Sequence, residues 1–338
     1  MKLLITGGAG FVGVRLAQAL LKQGRLAGRA IEQIVLADQA AAPPALLDDR
    51  RVQGRVGPLL ATCDSLRDED FDAVFHLASA VSGECESDFD LGLRSNLDST
   101  RALLDALRHR QTRGAPATRL VFSSSVAVFG PDPAQPWTGL VADHTLPTPQ
   151  TSYGTQKLIC EQLIADYTRK GFIDGRAARL MTVTVRPGRP NGAASSFFSG
   201  IIREPLAGQA AVLPVDRGVS HPVSSPARTV QGLIAVYEAS REAFVGRTAL
   251  NLPALNVSVQ QMLDALEKVA GPRVRALVQD QRDERIAGIV ANWPTGASAQ
   301  RATALGLAPE TGFEDIIRQY IADCEANNPA ALAGLNNP

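Results

Sequence analysis

Short apolar runs alternate with longer amphipathic segments through the first half of the chain. The runs at 3–6, 34–37, 73–77, 120–123 and 181–185 are almost continuously apolar, as in strands that are covered on both faces. A weaker run at 51–56 comes third in chain order. Helical spacing of apolar residues appears between the strands, over 11–23, 88–110 and 152–169. The alternation predicts an α/β fold with a doubly wound parallel sheet.

The alternation weakens after residue 187, where the run Pro-Gly-Arg-Pro-Asn-Gly at 187–192 breaks the chain. We therefore expect a first domain over 1–190 and a smaller substrate domain over 191–338. A helical pattern resumes near 226–240, which indicates that the chain returns to the first domain near 220–250. Residues 128–151 carry five prolines and predict a long loop across the edge of an active site.

Composition narrows the class of function. The 338 residues include 34 Lys and Arg against 34 Asp and Glu, and the net charge of zero argues against nucleic acid as a partner. A hydrophobic share of 45% predicts a folded globular protein. The apolar run at the amino terminus is too short for a signal peptide, and no segment is long and apolar enough for a membrane span.

Cysteines and histidines are scattered along the chain. The four cysteines show no Cys-x-x-Cys pairing, so reduced thiols in the cytoplasm are expected. The four histidines have no partners at the spacing of metal ligands, so no metal site is expected.

A glycine-rich turn follows the first strand directly and opens a helix: Thr-Gly-Gly-Ala-Gly-Phe-Val-Gly at 6–13. Glycine permits the sharp turn and lets the backbone approach a diphosphate, which would lie against free N–H groups at the positive end of the helix. A turn without a ligand is the simpler alternative. An ATP-binding loop is excluded because Val14 stands where a lysine is needed.

Asp38 ends the second strand, where a carboxylate accepts hydrogen bonds from the ribose hydroxyls of a dinucleotide and repels a 2′-phosphate. The sequence therefore favours NAD over NADP. The alternative is that Asp38 caps the end of its strand.

Tyr153 and Lys157 stand one helical turn apart on one face of a predicted helix. A neighbouring ammonium favours the phenolate form of a tyrosine, which could take the proton of a substrate hydroxyl. The fifth strand ends in three serines at 123–125, so hydroxyls emerge at the edge where open α/β sheets bind ligands. These serines could instead merely cap the end of the strand.

Together these motifs resemble those of the extended short-chain dehydrogenases/reductases, a family of Rossmann fold that includes sugar-nucleotide epimerases, dehydratases and dehydrogenases. The resemblance rests on the glycine turn, His-Leu-Ala-Ser at 76–79, Asn96, the serine run and Tyr-x-x-x-Lys, and it extends from residue 1 to about 240. It implies bound NAD and a homodimer formed through the helices at 88–110 and 152–169.

The resemblance also implies residue roles. Tyr153 is expected to be the general acid/base, Lys157 to hold the nicotinamide ribose, Ser125 to bond the reacting oxygen, and Asn96 to sustain a helix kink and a proton relay. Expected contacts to NAD are Gly7, Gly10, Phe11, Val12, Gly13, Asp38, Asp64, Leu77, Ala78, Ser79, Asn96, Tyr153, Lys157, Pro187 and Gly188.

The chain departs from the sugar-nucleotide epimerases after its sixth strand. Arg189 stands where those enzymes have a neutral asparagine, and a guanidinium suits a carboxylate. Residues 186–206 are similar to the D-erythronate dehydrogenase branch of the family. That similarity implies oxidation of a small sugar acid at carbon 2, D-erythronate to 2-oxo-tetronate, with NAD. Ser82, Ser125, Tyr153, Arg189 and Asn191 are the expected substrate contacts.

Two alternatives remain open. The first is a nucleotide-sugar epimerase with tightly bound NAD, because Arg217 and His221 align with the epimerase motif although its acids and aromatic residue are missing. The second is a non-catalytic relative that senses NAD. Such proteins often lose the tyrosine or the lysine, and this chain keeps both.

Overall fold

The computed structural model describes residues 1–188 and 194–336. Its centre is a seven-stranded sheet in which all neighbouring strands are parallel. In chain order the strands are β1 (Lys2–Thr6), β2 (Gln33–Asp38), β3 (Val52–Val56), β4 (Ala73–His76), β5 (Thr118–Ser125), β6 (Ile173–Leu180) and β7 (Leu250–Asn251). The order across the sheet is β7-β6-β5-β4-β1-β2-β3, which confirms the predicted doubly wound α/β fold of Rossmann type.

Helices cover both faces of this sheet. The longer ones are α1 (Phe11–Gln23), α2 (Leu59–Leu66), α3 (Ser99–Thr112), α4 (Ser152–Arg169), α5 (Ser196–Leu206), α6 (Pro226–Glu238), α7 (Val259–Ala270) and α8 (Phe313–Asn327). One apolar core joins α1 and α6 to one face, and a second core joins α2, α3 and α4 to the other. The strands are buried on both sides for this reason, which explains their continuous apolar runs.

Shorter elements complete the described chain. The short helices are Pro44–Leu47, Ser82–Ser87, Phe89–Gly92, Arg241–Phe244, Pro272–Arg275, Glu284–Val290, Gln300–Ala304 and Ala333–Asn336, with a π-helical turn at Leu93–Asp98 and 3₁₀ turns at Val126–Val128 and Pro329–Leu332. The short strands are Arg25–Leu26, Arg29–Ala30, Leu140–Val141, Thr182–Val183, Ala211–Leu213, Ser220–Ser224, Leu255–Ser258, Val278–Asp280 and Gly296–Ala297.

The prediction of a sixth sheet strand at 181–185 is wrong. The strand that enters the main sheet is β6, and Thr182–Val183 pairs instead with Ser220–Ser224 in a small separate sheet. β6 carries Arg176 and Arg179, and these charged residues interrupt the apolar pattern by which strands were predicted. Both arginine side chains are nevertheless buried. Ion pairs with Asp174 and Glu161, at 3.1 and 2.8 Å, compensate the two buried charges.

The predicted helix at 88–110 is also not uniform. Phe89–Gly92 is α-helical, Leu93–Asp98 forms a π-helical turn, and α3 follows directly. A π-helical turn inserts an extra residue, so its side chains are rotated relative to a regular helix. Asn96 lies in this turn.

After β6 the chain builds a third apolar core from α5, α7, α8 and the short strands around them. It then contributes to the main sheet again, because α6 packs on β5 and β6 while β7 pairs with β6. The proline-rich segment at 128–151 is pinned to this later part of the chain. Leu140–Val141 pairs with Gly296–Ala297, and the Asp143 carboxylate accepts hydrogen bonds from the N–H groups of Asn251 and Arg301.

The four cysteines are all buried and none forms a disulfide. Within 1–188 and 194–336, no group of His, Cys, Asp and Glu side chains is arranged to hold a metal ion. No helix in those same ranges has the length and apolar character needed to cross a membrane.

Candidate active site

The glycine turn between β1 and α1 is tightly closed on itself. Gly7 has a φ of +71° and donates its N–H to the carbonyl oxygen of Ala37 at 2.8 Å. A Cβ at Gly13 would overlap the carbonyl oxygen of Gly7, so only glycine lets α1 begin this close to β1. The helix has no side-chain cap and no acid in its first turn, so its N–H groups point toward the sheet edge without a partner from a capping side chain.

Asp38 meets this turn from β2. Its carboxylate accepts hydrogen bonds from the N–H of Ala9 at 3.0 Å and from that of Ala40 at 3.1 Å. The structure therefore brings the predicted ribose acid to the edge of the predicted phosphate turn. Val56 is paired in register with Asp38 and is 64% exposed, so it offers an apolar surface beside the acid. Sequence reasoning placed Val56 only at the end of a weaker strand and did not select it for the site.

Asp64, another of the expected contacts to NAD, lies on α2. Its side chain is 83% exposed and forms an ion pair with Arg67 at 3.5 Å. No described contact joins it to Asp38 or to the glycine turn. Its role at the nucleotide stays a prediction, and Val56 is the residue that the fold places beside Asp38.

The segment after β4 closes the other side of the turn. Leu77 donates its N–H to the carbonyl oxygen of Thr6 at 3.0 Å, and Ala78 donates to the Thr6 hydroxyl at 3.3 Å. A Cβ at Gly7 would lie 2.7 Å from the Ala78 nitrogen, so a side chain there would push this segment away. Three elements thus form one backbone-lined cradle, and its shape fits a dinucleotide diphosphate.

His76 lies beneath this cradle and is fully buried. Its ring nitrogens share hydrogen bonds with the hydroxyls of Thr6 at 2.6 Å and Thr100 at 2.8 Å. Burial, together with the nearby Lys157 ammonium, lowers the pKa of His76 to about 3. The imidazole is therefore neutral at physiological pH and ties β1, β4 and α3 together.

The three serines at the end of β5 have different partners. Ser123 donates to the carbonyl oxygen of His76 at 3.2 Å, and Ser124 donates to the Glu161 carboxylate at 2.5 Å. Ser125 instead accepts the N–H of Ala127 at 3.1 Å, so its own proton remains available for a ligand. Of the three, Ser125 is the one presented at the sheet edge, as the sequence predicts.

Tyr153 and Lys157 come to the same edge on α4. The Lys157 ammonium is buried, donates to the carbonyl oxygen of Ser123 at 2.9 Å, and lies 5.5 Å from the centre of the Tyr153 ring. A Cβ at Gly154 would overlap the carbonyl oxygen of Ala127, so this glycine lets the start of α4 reach the residues that follow Ser125. Gly154 was not singled out from the sequence, where its only signal is a glycine inside a helix.

Asn96 extends from the π-helical turn toward the segment after β4. Its amide oxygen accepts the N–H of Ala80 at 2.7 Å and the hydroxyl of Ser79 at 3.1 Å. Its amide nitrogen donates to Gln156 on α4 at 2.8 Å. Asn96 therefore lies in a π-helical turn and its side chain joins two parts of the candidate site, while its role in a helix kink and a proton relay stays a prediction.

The expected substrate side is partly described. Ser82 opens the short helix Ser82–Ser87 at the same edge of the sheet, while Pro187 and Gly188 are exposed at the end of the first described range. Arg189 and Asn191, predicted from the sequence to contact substrate, lie outside the described residues.

Arg186 is a further residue that sequence reasoning did not select. Its guanidinium donates to the carbonyl oxygen of Val183 at 2.9 Å and to the Ser195 hydroxyl at 3.1 Å, both uncharged groups. Burial lowers the pKa of Arg186, and the nearby Tyr153 acts in the opposite direction. Among the described residues, Arg186 is therefore a partly buried cation that donates to uncharged groups, and Tyr153 is near enough to affect its pKa.

Comparisons with known proteins agree with this geometry. A family model described as the NAD dependent epimerase/dehydratase family matches residues 3–221. The chain is 46% identical to a D-erythronate dehydrogenase from Cupriavidus necator over 96% of this chain and 98% of that protein. It is 41% identical to a D-erythronate dehydrogenase from Haemophilus influenzae over 95% of this chain and 99% of that protein.

A solved structure from Agrobacterium tumefaciens, described as a nucleoside-diphosphate-sugar epimerase, is similar in fold and in sequence. It superposes with a TM-score of 0.91 at 42% identity and covers 97% of this chain and 95% of that one. The family match spans the glycine turn, Asp38, the serine run and the Tyr-x-x-x-Lys pair. The chain belongs to the NAD dependent epimerase/dehydratase family, within the extended short-chain dehydrogenases/reductases, and its cofactor is NAD.

Proposed function

We propose that this NAD-dependent dehydrogenase oxidises a small sugar acid, D-erythronate, at carbon 2 to 2-oxo-tetronate. The observation that carries the proposal is the convergence of Ser125, Tyr153 and Lys157 at the sheet edge next to the glycine cradle. Support for the substrate comes from the two full-length relatives that bear the name D-erythronate dehydrogenase.

The glycine cradle and Asp38 would hold NAD, which would supply the acceptor for the hydride of carbon 2. Tyr153 removes the proton of the carbon 2 hydroxyl, and Ser125 donates a hydrogen bond to the reacting oxygen. Lys157 is held by the carbonyl oxygen of Ser123, so its charge stays fixed beside the Tyr153 ring and stabilises the phenolate. The product is the 2-oxo acid, with the hydroxyl proton on Tyr153.

A sugar acid also carries a carboxylate next to the oxidised carbon, and this group needs a cation. Arg186 meets that need because its described partners are neutral and Tyr153 is close. We assign the carboxylate to Arg186 together with Arg189, with Ser82 and Asn191 as further contacts. Burying an arginine without an acid is costly unless a ligand supplies the negative charge.

A nucleotide-sugar epimerase is the second candidate, favoured by the description of the Agrobacterium tumefaciens structure. Epimerisation of such a substrate would call for a cation facing its diphosphate. Arg217, the aligned arginine, instead binds both carboxylate oxygens of Asp280. His221 is buried between Thr182 and the carbonyl oxygen of Pro294, so it has no free face for a ligand. Both observations favour the sugar-acid dehydrogenase.

The test is to incubate purified protein with NAD and a panel of four- to six-carbon aldonates and to follow absorbance of the reduced cofactor. We expect reduction with D-erythronate and a 2-oxo product by mass spectrometry. Absence of reduction with every aldonate, together with a UDP-sugar isomer on chromatography, would replace this proposal by the epimerase.

We further propose that the protein acts as a homodimer through the helical region 88–110 and α4. Apolar side chains remain exposed there, with Phe89 at 59% and Ile159 at 38%. Analytical ultracentrifugation should give twice the chain mass, and Ile159→Lys should shift the protein toward monomer. A monomer at micromolar concentration would contradict the assignment.

A further inference from the structure

Gln156 lies between Tyr153 and Lys157 in the chain, but its side chain points into the protein and is 1% exposed. Its Oε1 accepts a hydrogen bond from the amide nitrogen of Asn96 at 2.8 Å. Its Nε2 is buried and has no hydrogen-bond partner among the described residues. Burying the unpaired Nε2 donor costs free energy. The described hydrogen bond of this amide is therefore the one that its oxygen accepts from Asn96.

We propose that Gln156 is a positioning residue that sets the substrate loop, defined as residues 79–82, by fixing the orientation of Asn96. The proposal rests on the proposed function, because Ser82 in this loop is an expected contact of the sugar acid. It concerns how the loop is held and adds no group to the chemistry.

The orientation of Asn96 follows from the donors and acceptors around it. Gln156 offers an oxygen, so Asn96 must turn its NH₂ group that way. The Asn96 oxygen then faces the substrate loop, where it accepts from Ala80 and Ser79. If Asn96 were turned over, its NH₂ group would face the Ala80 N–H, and two donors would meet without an acceptor.

The two halves of the segment after β4 have separate anchors. Leu77 and Ala78, on the cofactor side, are held by Thr6 of β1. On the substrate side, Asn96 holds Ala80, which leads to Ser82, and also Ser79, which is in addition an expected contact to NAD. The Asn96 amide nitrogen also lies 3.3 Å from the Ala80 carbonyl oxygen. Loss of the Gln156 oxygen should therefore loosen the substrate side and spare the cofactor side.

The neighbouring helix leaves space for this glutamine. A Cβ at Gly92 would lie 2.6 Å from the Gln156 nitrogen and 3.2 Å from the Cys85 sulfur. Gly92 and Gln156 thus fit together as a pair, and Gly92→Ala offers a second way to displace the glutamine amide without changing Gln156 itself.

The test compares Gln156→Met, which keeps the length of the side chain and removes the acceptor, with Gln156→Glu, which keeps an oxygen toward Asn96. Gln162→Met, at an exposed position on α4, is the matched control. We expect Gln156→Met to raise KM for D-erythronate about tenfold, with kcat and KM for NAD changing less than about threefold. Gln156→Glu should recover most of the loss, and Gln162→Met should match the wild type.

Hydrogen–deuterium exchange supplies a readout that does not depend on the substrate. The peptide containing Ala80 should exchange faster in Gln156→Met, because its N–H loses a fixed acceptor, whereas the peptide containing Leu77 and Ala78 should not change. If Gln156→Met does not fold, Gly92→Ala should give the same pattern.

Unchanged KM and unchanged exchange in a folded Gln156→Met protein would overturn the proposal, as would an equal rise in KM in the Gln162→Met protein. If the wild type oxidises no sugar acid, the proposed function fails on its own, and the exchange of the Ala80 peptide still decides whether Gln156 holds the loop.

Discussion

The two ends of the candidate site are built in different ways. At the nucleotide end, the cradle is formed mainly by backbone groups of the glycine turn around Gly7 and Gly13, with Asp38 added from the neighbouring strand and Leu77 and Ala78 from the segment after β4. At the catalytic end, Ser125, Tyr153 and Lys157 come from a strand and a helix, and buried polar side chains hold them. Contiguous backbone recognition can be read from sequence, whereas an assembly of distant side chains depends on packing.

The largest expected effect belongs to the catalytic end. Tyr153→Phe removes the phenol that we propose takes the proton, and kcat should fall by roughly 1,000-fold while the Kd for NAD changes little. Stopped-flow turnover and NAD titration by fluorescence measure the two quantities. Tyr167→Phe, on the same helix as Tyr153, removes a phenol that donates a hydrogen bond to Asp105 of α3 and should retain full activity. Full activity in Tyr153→Phe would remove the tyrosine from the chemistry.

At the nucleotide end, Gly13→Ala should weaken NAD binding. The new Cβ would overlap the Gly7 carbonyl oxygen, and relief of that overlap must open the cradle. We expect a cost of about 3 kcal/mol, on the order of 100-fold in Kd. Gly288→Ala, a helical glycine with open space around it, is the control and should bind NAD normally. Calorimetric titration compares them, and equal affinities would contradict the role of the cradle.

The neighbouring residues Ser125 and Ser124 allow a proposed catalytic role to be distinguished from a structural one at the catalytic end. Ser125→Ala should raise the activation free energy by about 2 kcal/mol and so lower kcat roughly 30-fold, because the reacting oxygen loses a hydrogen-bond donor. Ser124→Ala leaves the Glu161–Arg179 pair in place, so kcat should change little while the melting temperature falls. Steady-state kinetics and calorimetry of both variants distinguish these outcomes, and the reverse order would exchange the two roles.

Asp38 should decide the choice of cofactor. Asp38→Asn keeps an oxygen for the Ala9 N–H and removes the charge that repels a 2′-phosphate. The ratio of kcat/KM for NAD to that for NADP should fall by about tenfold, a cost near 1.4 kcal/mol. Kinetics with both cofactors measure this ratio, and an unchanged ratio would place the discrimination elsewhere.

The effect that appears only in acid concerns stability and compares the two buried histidines. Burial lowers the pKa of His76 to about 3 and that of His221 to about 4, against about 6.5 in an unfolded chain. Below pH 6.5 the unfolded chain binds protons that the folded chain excludes, so stability falls as pH drops. The expected slope is about 1.4 kcal/mol per pH unit for each histidine down to its folded pKa.

Urea titrations at several pH values measure that slope. His221→Asn should reduce by one the difference in bound protons between the unfolded and the folded chain, so the slope of stability against pH should flatten between pH 6 and 4. His109→Asn, at an exposed position, should not flatten that slope. A slope equal in all three proteins would show that these histidines do not set the acid limit.

The sequence was sufficient where local rules apply. The glycine turn, the strands β1 to β5 and the helices α1 and α4 follow from apolar periodicity and glycine placement, and the family follows from the motifs they carry. It was insufficient where charge is buried. β6 contains Arg176 and Arg179, and only the tertiary structure supplies the acids and carbonyl oxygens that make such a strand possible.

The candidate site likewise has features that the sequence predicts and features that depend on packing. Sequence determined that a glycine turn, an acid, serines and a Tyr-x-x-x-Lys pair exist in the right order along the chain. Only the tertiary structure decided that Ser124 donates a hydrogen bond to Glu161 and that Asp64 forms an ion pair with Arg67. It also decided that Gly154 lets α4 approach Ser125 and that Gln156 accepts a hydrogen bond from Asn96. A hydrogen bond depends on position and direction in space, and these distant pairs acquire both only when the chain is packed.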